Sequence, residues 1–223
     1  MATSTVEDYL KAILLEEERE PGAPIATGRL ATLLSVTPGT VTAMLKTLAD
    51  SGLVAYEPYA GAQLTPAGRQ LGLHVLRRHR LIELFLVQVV GLDWSEVHDE
   101  ADRLEHAVSE RLIERMDEML DRPEFDPHGD PIPTAALKVQ TLDYSTLADI
   151  GGGEVGVRCR VARIADQSPE FLRLVEKVGL RPGRKVRVSA RDEAADTLEI
   201  ELDRGRRASL GLRAAGKIFV ERL

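Results

Sequence analysis

Apolar side chains at the start of the chain recur every three or four positions. In residues 5–18 they form one stripe on a helix of about 3.6 residues per turn, made of Val6, Tyr9, Leu10, Ile13 and Leu14. The sequence "PGAP" at 21–24 ends this helix, because proline and glycine interrupt helical hydrogen bonding. Residues 27–34 then predict a second, shorter helix.

A third helix and a hairpin follow. Thr37 suits the N-cap position, Pro38 the first helical position and Gly52 the C-terminal stop. Two short alternating runs then flank residues 59–62, and "TPAGRQL" opens another helix at Thr65. Helix, turn, capped helix and hairpin are the parts of a winged helix-turn-helix, although a small helical bundle with a turn fits the same pattern.

The polar face of the third helix favours DNA binding over a plain bundle. Small hydroxyl side chains and one lysine lie in its N-terminal half, the part of a recognition helix that enters the major groove. Pro38 and Gly39 add little bulk there, so backbone amides can approach a phosphate. The candidate DNA-binding residues are Thr37, Pro38, Gly39, Thr40, Thr42 and Lys46.

Residues 66–120 predict further helices, with more apolar surface than one small winged domain needs. One long helix ends at Gly91. The next is capped by Asp93 or Ser95 and is expected to continue through "VSERLIERMDEML". A homodimer interface is the economical explanation for so much apolar surface.

The second half of the chain changes character twice. The proline-rich stretch "RPEFDPHGDPIP" (122–133) predicts irregular structure, with His128 exposed to solvent. After "DIGGGE" (149–154), short alternating runs with many arginines predict a small β barrel. We therefore expect a mainly α protein with a small β domain, divided into a DNA-binding domain (1–73), a helical dimerisation and metal-binding domain (74–140), a linker (141–150) and the β domain (151–223).

Composition and charge exclude several classes of protein. The 223 residues are 43% hydrophobic and 29% charged, as in soluble globular proteins, and no apolar run reaches the about 18–20 residues of a membrane helix. "MATSTVEDYL" lacks the pattern of a signal peptide, so we expect a cytoplasmic protein with no membrane partner. The single cysteine, Cys159, agrees with a reducing compartment and suits buried filler. A net charge of −7 argues against non-specific nucleic-acid binding but allows a local DNA-reading surface.

Candidate metal ligands are concentrated in the stretch "VHDEADRLEH" (97–106). On one continuous helix, four of them would share a stripe: His98, Asp102, Glu105 and His106. On the preceding helix, His79 and Glu83 are one turn apart. A solvated charged helix face explains the stretch equally well when it is taken alone. As ligands, carboxylates and imidazoles without a thiolate favour Mn²⁺ or Fe²⁺ over a cysteine-rich zinc site.

Several motifs occur in one order and together carry a family resemblance. They are "VEDYLKAI", "PGTVTAMLKTLADSGLV", "TPAGRQL", "RRHRLIELFLVQVVGLDWSEVHDEADRLEH" and "DPHGDPIP". The chain resembles the DtxR/MntR family of metal-dependent repressors, the group that contains the diphtheria toxin repressor. The resemblance covers residues 5–133 and extends more loosely over 151–223, which is similar to the SH3-like (FeoA-like) domain of the longer members. It implies a homodimeric transcriptional repressor that binds double-stranded operator DNA and takes no small-molecule substrate.

The resemblance also implies two metal ions per subunit. The primary site would use Asp8 from the first helix with Asp102, Glu105 and His106. The ancillary site would use His79, Glu83 and His98, with Gln167 and Glu170 from the SH3-like domain. Lys11 stands where short manganese-responsive members place an acidic ligand, which argues against a closely bridged pair of ions.

A difference between this chain and the family pattern predicts the preferred metal. Iron-responsive members usually carry methionine and cysteine where this chain has Asp8 and Asp102. Oxygen donors in place of sulfur predict Mn(II) first and Fe(II) second. An ion that ties the first helix to the dimer core would fix the spacing of the recognition helices. Two other functions stay open: a metal-independent winged-helix regulator that senses a small ligand and, with less support, a metalloenzyme.

Overall fold

The computed structural model describes residues 3–151 and 156–223, which divide into two compact units. The first unit comprises Met1–His79, Leu104–Ser109 and Pro133–Lys138. The second comprises Arg80–Arg103, Glu110–Ile132 and Val139–Leu223. The predicted domain boundaries at 73, 140 and 150 remain predictions, and residues 152–155, next to the last of them, lie outside the described residues.

The first unit has the predicted winged helix-turn-helix. Its elements are α1 (Ser4–Arg19), α2 (Thr27–Leu33), α3 (Pro38–Asp50), the antiparallel strands β1 (Val54–Glu57) and β2 (Gly61–Leu64), and most of α4 (Pro66–Phe85). Thr3 caps α1, and Thr37 caps α3 by accepting a hydrogen bond from the Thr40 amide at 3.2 Å. Both caps satisfy amides that lack a partner inside the helix.

A continuous apolar core joins α1 to α3 in this unit. Leu10 and Ile13 of α1, Leu30 of α2 and Leu45 of α3 are all completely buried in one cluster. Burying side chains of this size contributes about 1.5–3 kcal/mol each, so α1 cannot shift without disturbing the packing of α3.

The helices after α4 differ from the expected pattern at one point. Helix α4 leads into a π-helical turn, Leu86–Val90, which ends at Gly91 in the left-handed conformation (φ 82°), as predicted. Two helices, α5 (Val97–Leu104) and α6 (Glu110–Met119), then stand where one continuous helix was expected. That expectation was wrong, since a turn separates them. No described helix is both long and apolar enough to span a membrane.

The second unit contains the small β domain. Its elements are β3 (Ser145–Thr146), α7 (Leu147–Gly151), β4 (Arg158–Ile164), α8 (Pro169–Val178), β5 (Lys185–Asp192), β6 (Thr197–Glu201), β7 (Arg207–Gly211), α9 (Leu212–Ala215) and β8 (Ile218–Arg222). The strands form one antiparallel sheet in the order β3-β8-β4-β5-β6-β7. The segment 141–150, predicted as a linker, already contains β3 and part of α7, and Leu147 and Ile150 are buried in the domain core.

The core of this domain explains the role of the cysteine. Cys159 and Val161 on β4 are completely buried, together with Val188 of β5 and Ile200 of β6. Burial raises the pKa of the Cys159 thiol to about 11. Cys159 is therefore packing material, as predicted, and is not available as a thiolate ligand.

Candidate metal centres

Three candidate ligands meet in the first unit and are called here the first cluster: Asp8, Glu105 and His106. One ligand atom from each lies within 4.8 Å of the others. His106 Nε2 is 2.8 Å from Asp8 Oδ1 and 3.5 Å from Glu105 Oε1, while its Nδ1 is 2.7 Å from Glu7 Oε2. Because Glu7 engages Nδ1, the other ring nitrogen faces the two candidate ligands, as in many metal sites where a carboxylate orients a histidine. Sequence reasoning missed this role of Glu7.

Glu105 is the most enclosed member of the first cluster. Its side chain is completely buried, and its two oxygens contact different partners. Lys11 Nζ donates to Oε1 at 2.6 Å, and His79 Nδ1 lies 2.6 Å from Oε2. A buried carboxylate requires such partners, because it has lost its hydration.

The negative charges of the first cluster act on His106. Burial lowers the pKa of this imidazole, but the hydrogen bond to Glu7 and the charges of Asp8 and Glu105 outweigh burial, so its pKa lies above the ordinary value. The surroundings therefore favour a positive charge on the ring, and a cation placed among these carboxylates would serve the same electrostatic purpose.

The shared helical stripe predicted for 97–106 does not exist. Helix α5 ends at Leu104, and Glu105–Ala107 form a turn in which the amides of Ala107 and Val108 both donate to the Leu104 carbonyl. Nothing in the local sequence stops the helix, since the stretch has no glycine or proline. The ionic contacts of Glu105 and His106 within the first unit outweigh the local helical preference.

The other candidate ligands of this region lie in the second unit. His98 Nδ1 is 3.2 Å from Glu83 Oε1, and His98 Nε2 is 3.7 Å from Asp102 Oδ2. The side chains of His98 and Asp102 are about half exposed, whereas that of Glu83 is almost completely buried. Glu83 and His98 are thus close enough to bind one ion together.

A second group of ligand atoms was missed by the sequence interpretation. Glu83, Asp126 and His128, called here the second cluster, are all buried and have ligand atoms within 4.8 Å of one another. The expectation that His128 is exposed was wrong: it is 1% exposed and stacks on Trp94 at a centroid distance of 5.5 Å. A histidine between aspartates in "DPHGDPIP" was the available signal, but the prolines pointed to an exposed connection.

His128 is held in one orientation with one nitrogen left over. Its Nε2 is 2.9 Å from the Trp94 carbonyl oxygen, to which it donates. Its Nδ1 has no hydrogen-bond partner and lies 4.0 Å from Glu83 Oε2. Burying a polar atom without a partner costs free energy of folding, so the geometry of Nδ1 fits a ligand atom for a cation.

Like charges surround Asp126. Complete burial raises its pKa well above the ordinary 3.8, and the neighbouring Asp130 and Glu83 raise it further, although Arg80 opposes them. Asp126 Oδ1 accepts hydrogen bonds from the amides of His128 and Asp130 at 2.8 and 2.9 Å. Glu83, Asp126 and Asp130 are buried close together and repel one another when they are ionised. A divalent ion bound among them would offset this repulsion and the cost of burying their charges.

The two predicted ligands of the β domain have different environments. Gln167 donates to Asp130 Oδ2 at 2.6 Å, and Arg163 also contacts Asp130, at 2.6 Å from Oδ1. Glu170, at the start of α8, is exposed. Among the described residues, no group of three potential ligands includes Glu170. Asp130 therefore attaches the segment 126–132 to the β domain.

Gly129 allows this segment to approach β4 closely, and its substitution should be destabilising. It has φ 89°, and an added Cβ would lie 2.0 Å from the Ala162 carbonyl oxygen. We expect Gly129→Ala to lower the free energy of unfolding by about 3 kcal/mol, from backbone strain together with overlap. Gly91→Ala is the matched control, because Gly91 also has positive φ but its added Cβ would meet nothing within 4 Å. Urea unfolding should show the larger loss for Gly129→Ala, and equal losses would contradict the close approach.

The predicted DNA-binding residues lie at the start of α3, except Lys46, which is in the second half of the helix. Thr37, Pro38, Gly39, Thr40 and Lys46 are exposed, and Thr42 is half-buried. Thr42 Oγ1 donates to the Pro38 carbonyl at 2.9 Å. Thr42 and Lys46 also line a cleft with Tyr56 and the fully exposed Tyr59 of the hairpin. A recognition helix and a wing thus present hydroxyl, ammonium and phenol groups side by side.

Comparison with known proteins agrees with this architecture. Family profiles described as "Iron dependent repressor, N-terminal DNA binding domain", "Iron dependent repressor, metal binding and dimerisation domain" and "FeoA domain" match residues 1–62, 65–134 and 147–222. The chain is 40% identical over 192 residues to a diphtheria toxin repressor of Corynebacterium efficiens, covering 82% of this chain and 81% of that protein.

Two further relatives differ in their metal. The iron-dependent repressor IdeR of Mycobacterium tuberculosis is 40% identical over 130 residues, or 58% of this chain and 55% of that protein. A solved structure of a manganese-dependent transcriptional repressor in complex with manganese has a TM-score of 0.86 and 39% identity, covering 98% of this chain and all of that one. The chain therefore belongs to the family of metal-dependent DNA-binding transcriptional repressors that includes the diphtheria toxin repressor, a family of regulators and not of enzymes.

Proposed function

We propose that this repressor binds operator DNA as a homodimer when a divalent ion, Mn(II) in preference to Fe(II), is bound at the first cluster. One observation carries the proposal. Asp8 from α1 and the pair Glu105 and His106, almost a hundred residues later, converge on one point within the first unit. A cation there would join two separate segments of the chain.

The donor set supports the choice of metal. The first cluster offers two carboxylates and one imidazole, which suit Mn(II) and Fe(II) better than soft metals. The chain's one cysteine is buried in β4 with a raised pKa, so no thiolate is available to shift the preference towards thiophilic metals. We propose Fe(II) as the second choice of metal. We also propose that each subunit binds two ions.

The mechanism relies on residues that the first unit already brings together. A bound ion would supply the positive charge that neutralises Asp8 and Glu105 and so relieves their mutual repulsion. Glu7 keeps the imidazole of His106 turned towards Asp8. Because Leu10 and Ile13 pack in the same core as Leu45, fixing α1 also fixes α3. The recognition helices of a dimer would then be held at the spacing of successive major grooves.

The second ion has its own set of candidate ligands. We propose that Glu83 is central to it, because Glu83 contacts His98 and also belongs to the second cluster with Asp126 and the unpartnered His128 nitrogen. His79, Asp102, Gln167 and Glu170 stay predicted ligands. Since Gln167 donates to Asp130, we propose that it acts on this region by holding the segment 126–132.

Exposed apolar residues support the homodimer. Between residues 89 and 119 of the second unit, five large apolar side chains are between 39% and 55% exposed: Val89, Val90, Leu92, Leu112 and Met119. Leu112 and Met119 are seven positions apart, so they share one face of α6. Exposed apolar side chains on neighbouring helices are the expected composition of a dimer interface. Thr37, Pro38, Gly39, Thr40, Thr42 and Lys46 remain the proposed contacts with DNA in the cytoplasm.

Asp8→Ala tests the proposed clamp directly. DNA fragments would first be selected from a genomic pool with Mn(II) present, and binding would then be measured by fluorescence anisotropy with Mn(II), Fe(II) or EDTA. We expect Asp8→Ala to fold and dimerise but to lose the Mn(II) stimulation of DNA binding. Asp99→Ala, an exposed position of α5, is the control and should keep it.

The outcomes separate the alternative functions. DNA binding that EDTA leaves unchanged would indicate a metal-independent ligand sensor. Retained Mn(II) stimulation in Asp8→Ala would refute the clamp.

A further inference from the structure

Lys11 places its side-chain ammonium group against the first cluster. It lies on α1, and its side chain is 12% exposed. Nζ is 2.6 Å from Glu105 Oε1 and 3.3 Å from His79 Nδ1. A lysine ammonium in contact with a completely buried carboxylate forms a strong, charge-assisted hydrogen bond. The cluster thus contains a covalently attached cation as well as candidate ligands for a free one.

We propose that the Lys11 ammonium occupies the position of a second divalent ion, so that the first cluster binds one metal ion. The inference rests on the proposed function, because it assumes that the first ion is bound by Asp8, Glu105 and His106. Glu105 would then be shared between a free ion on the His106 side and the fixed ammonium on the Lys11 side.

The contacts of Glu105 support this division. Oε2 is engaged by His79, whereas Oε1 is both 2.6 Å from Lys11 Nζ and 3.5 Å from His106 Nε2. A carboxylate oxygen has two lone pairs, so Oε1 can accept from Lys11 and still face an ion beside His106. A divalent ion between Glu105 and His79 Nδ1 would have to displace the Lys11 ammonium, which repels it because both are positively charged.

The fixed charge also affects the metal-free protein. Glu105 keeps a partner when no ion is bound, and chelators cannot remove that partner. In return, the ammonium repels an incoming divalent ion and competes for Oε1. Lys11 should therefore lower the affinity of the first cluster for a metal while it stabilises the empty cluster.

Three substitutions in the full chain separate charge from ligand effects. Lys11→Glu replaces the ammonium by a possible ligand, Lys11→Met removes the charge, and Lys11→Arg keeps it as the matched control. Bound Mn(II) would be counted by equilibrium dialysis with elemental analysis. Electron paramagnetic resonance would distinguish isolated Mn(II) from two ions that share a carboxylate and couple magnetically.

The expected result is specific for each variant. Lys11→Glu should bind one more Mn(II) per chain than the unaltered protein and give a coupled spectrum, whereas Lys11→Arg should change neither. Lys11→Met should melt at a lower temperature in EDTA and bind Mn(II) about tenfold more tightly, with an unchanged count.

Two results would overturn the proposal: an unchanged count in folded Lys11→Glu, or Lys11→Met with unaltered affinity and unaltered melting in EDTA. The second remains decisive if Lys11→Glu does not fold. Metal counts do not depend on DNA, so a protein whose DNA binding ignores Mn(II) would refute the proposed function while leaving this inference standing.

Discussion

Glu105→Gln is expected to abolish Mn(II)-stimulated DNA binding and to weaken Mn(II) binding at the first cluster by at least about 100-fold. Glutamine has nearly the same shape, so the Lys11 contact can persist, but the side chain no longer carries a negative charge. Because Glu105 is completely buried, solvent water cannot compensate for the loss of its negative charge beside the metal ion, as it could at the surface. Isothermal titration calorimetry gives the affinity, and anisotropy with the selected DNA gives the functional loss.

The control for this variant is Glu100→Gln on α5. Glu100 accepts a hydrogen bond from Arg103 at 2.8 Å in a surface ion pair, and such exposed pairs contribute little to stability. Circular dichroism and thermal unfolding in EDTA would show whether Glu105→Gln still folds. A folded Glu105→Gln protein with Mn(II) affinity within threefold of the unaltered chain would exclude Glu105 as a ligand.

The sequence was sufficient for the helices of the first unit because local signals there agree with packing. Thr37, Pro38 and Gly52 mark the ends of α3, and the apolar stripe of α1 is the stripe that is buried. The same agreement identified the alternating strands of the β domain. Consistency between local propensity and burial is what makes such elements predictable.

The sequence predicted one metal site from Asp8, Asp102, Glu105 and His106, and their role as ligands stays a prediction. The structure brings Asp8, Glu105 and His106 together, although not through the predicted continuous helix, since α5 ends at Leu104. His128 and Asp126 were missed because prolines indicate irregular backbone but say nothing about its burial. The segment is irregular and yet buried, since Arg80 donates to the Pro131 carbonyl at 2.6 Å and Asp130 binds the β domain. Such long-range contacts leave no periodic signal in the sequence.

Replacing one buried carboxylate of the second cluster should make the metal-free chain more stable but weaken its binding of a metal ion. Asp126 has a raised pKa in the folded chain, because burial and the charges of Asp130 and Glu83 disfavour its ionised form. Folding is therefore penalised progressively as the pH rises from about 3.8 towards the folded pKa, and the full penalty persists above it. Asp126→Asn should remove this penalty while its side-chain oxygen still accepts from the His128 and Asp130 amides.

We expect Asp126→Asn to raise the melting temperature in EDTA at pH 7 by several degrees, corresponding to about 1–2 kcal/mol, and to gain less from added Mn(II) than the unaltered chain. The neutral amide is a weaker ligand, so one bound ion per chain should be lost or weakened at the second cluster. Asp143→Asn, at an exposed position, should change neither quantity. If Asp126→Asn melted lower in EDTA and kept its full response to Mn(II), then Asp126 would be a structural acceptor only, and the second ion would have to be bound through Glu83 and His98 without it. If Asp126→Asn melted higher in EDTA and lost the response to Mn(II), repulsion among the buried carboxylates would be identified as the reason that this region binds a cation.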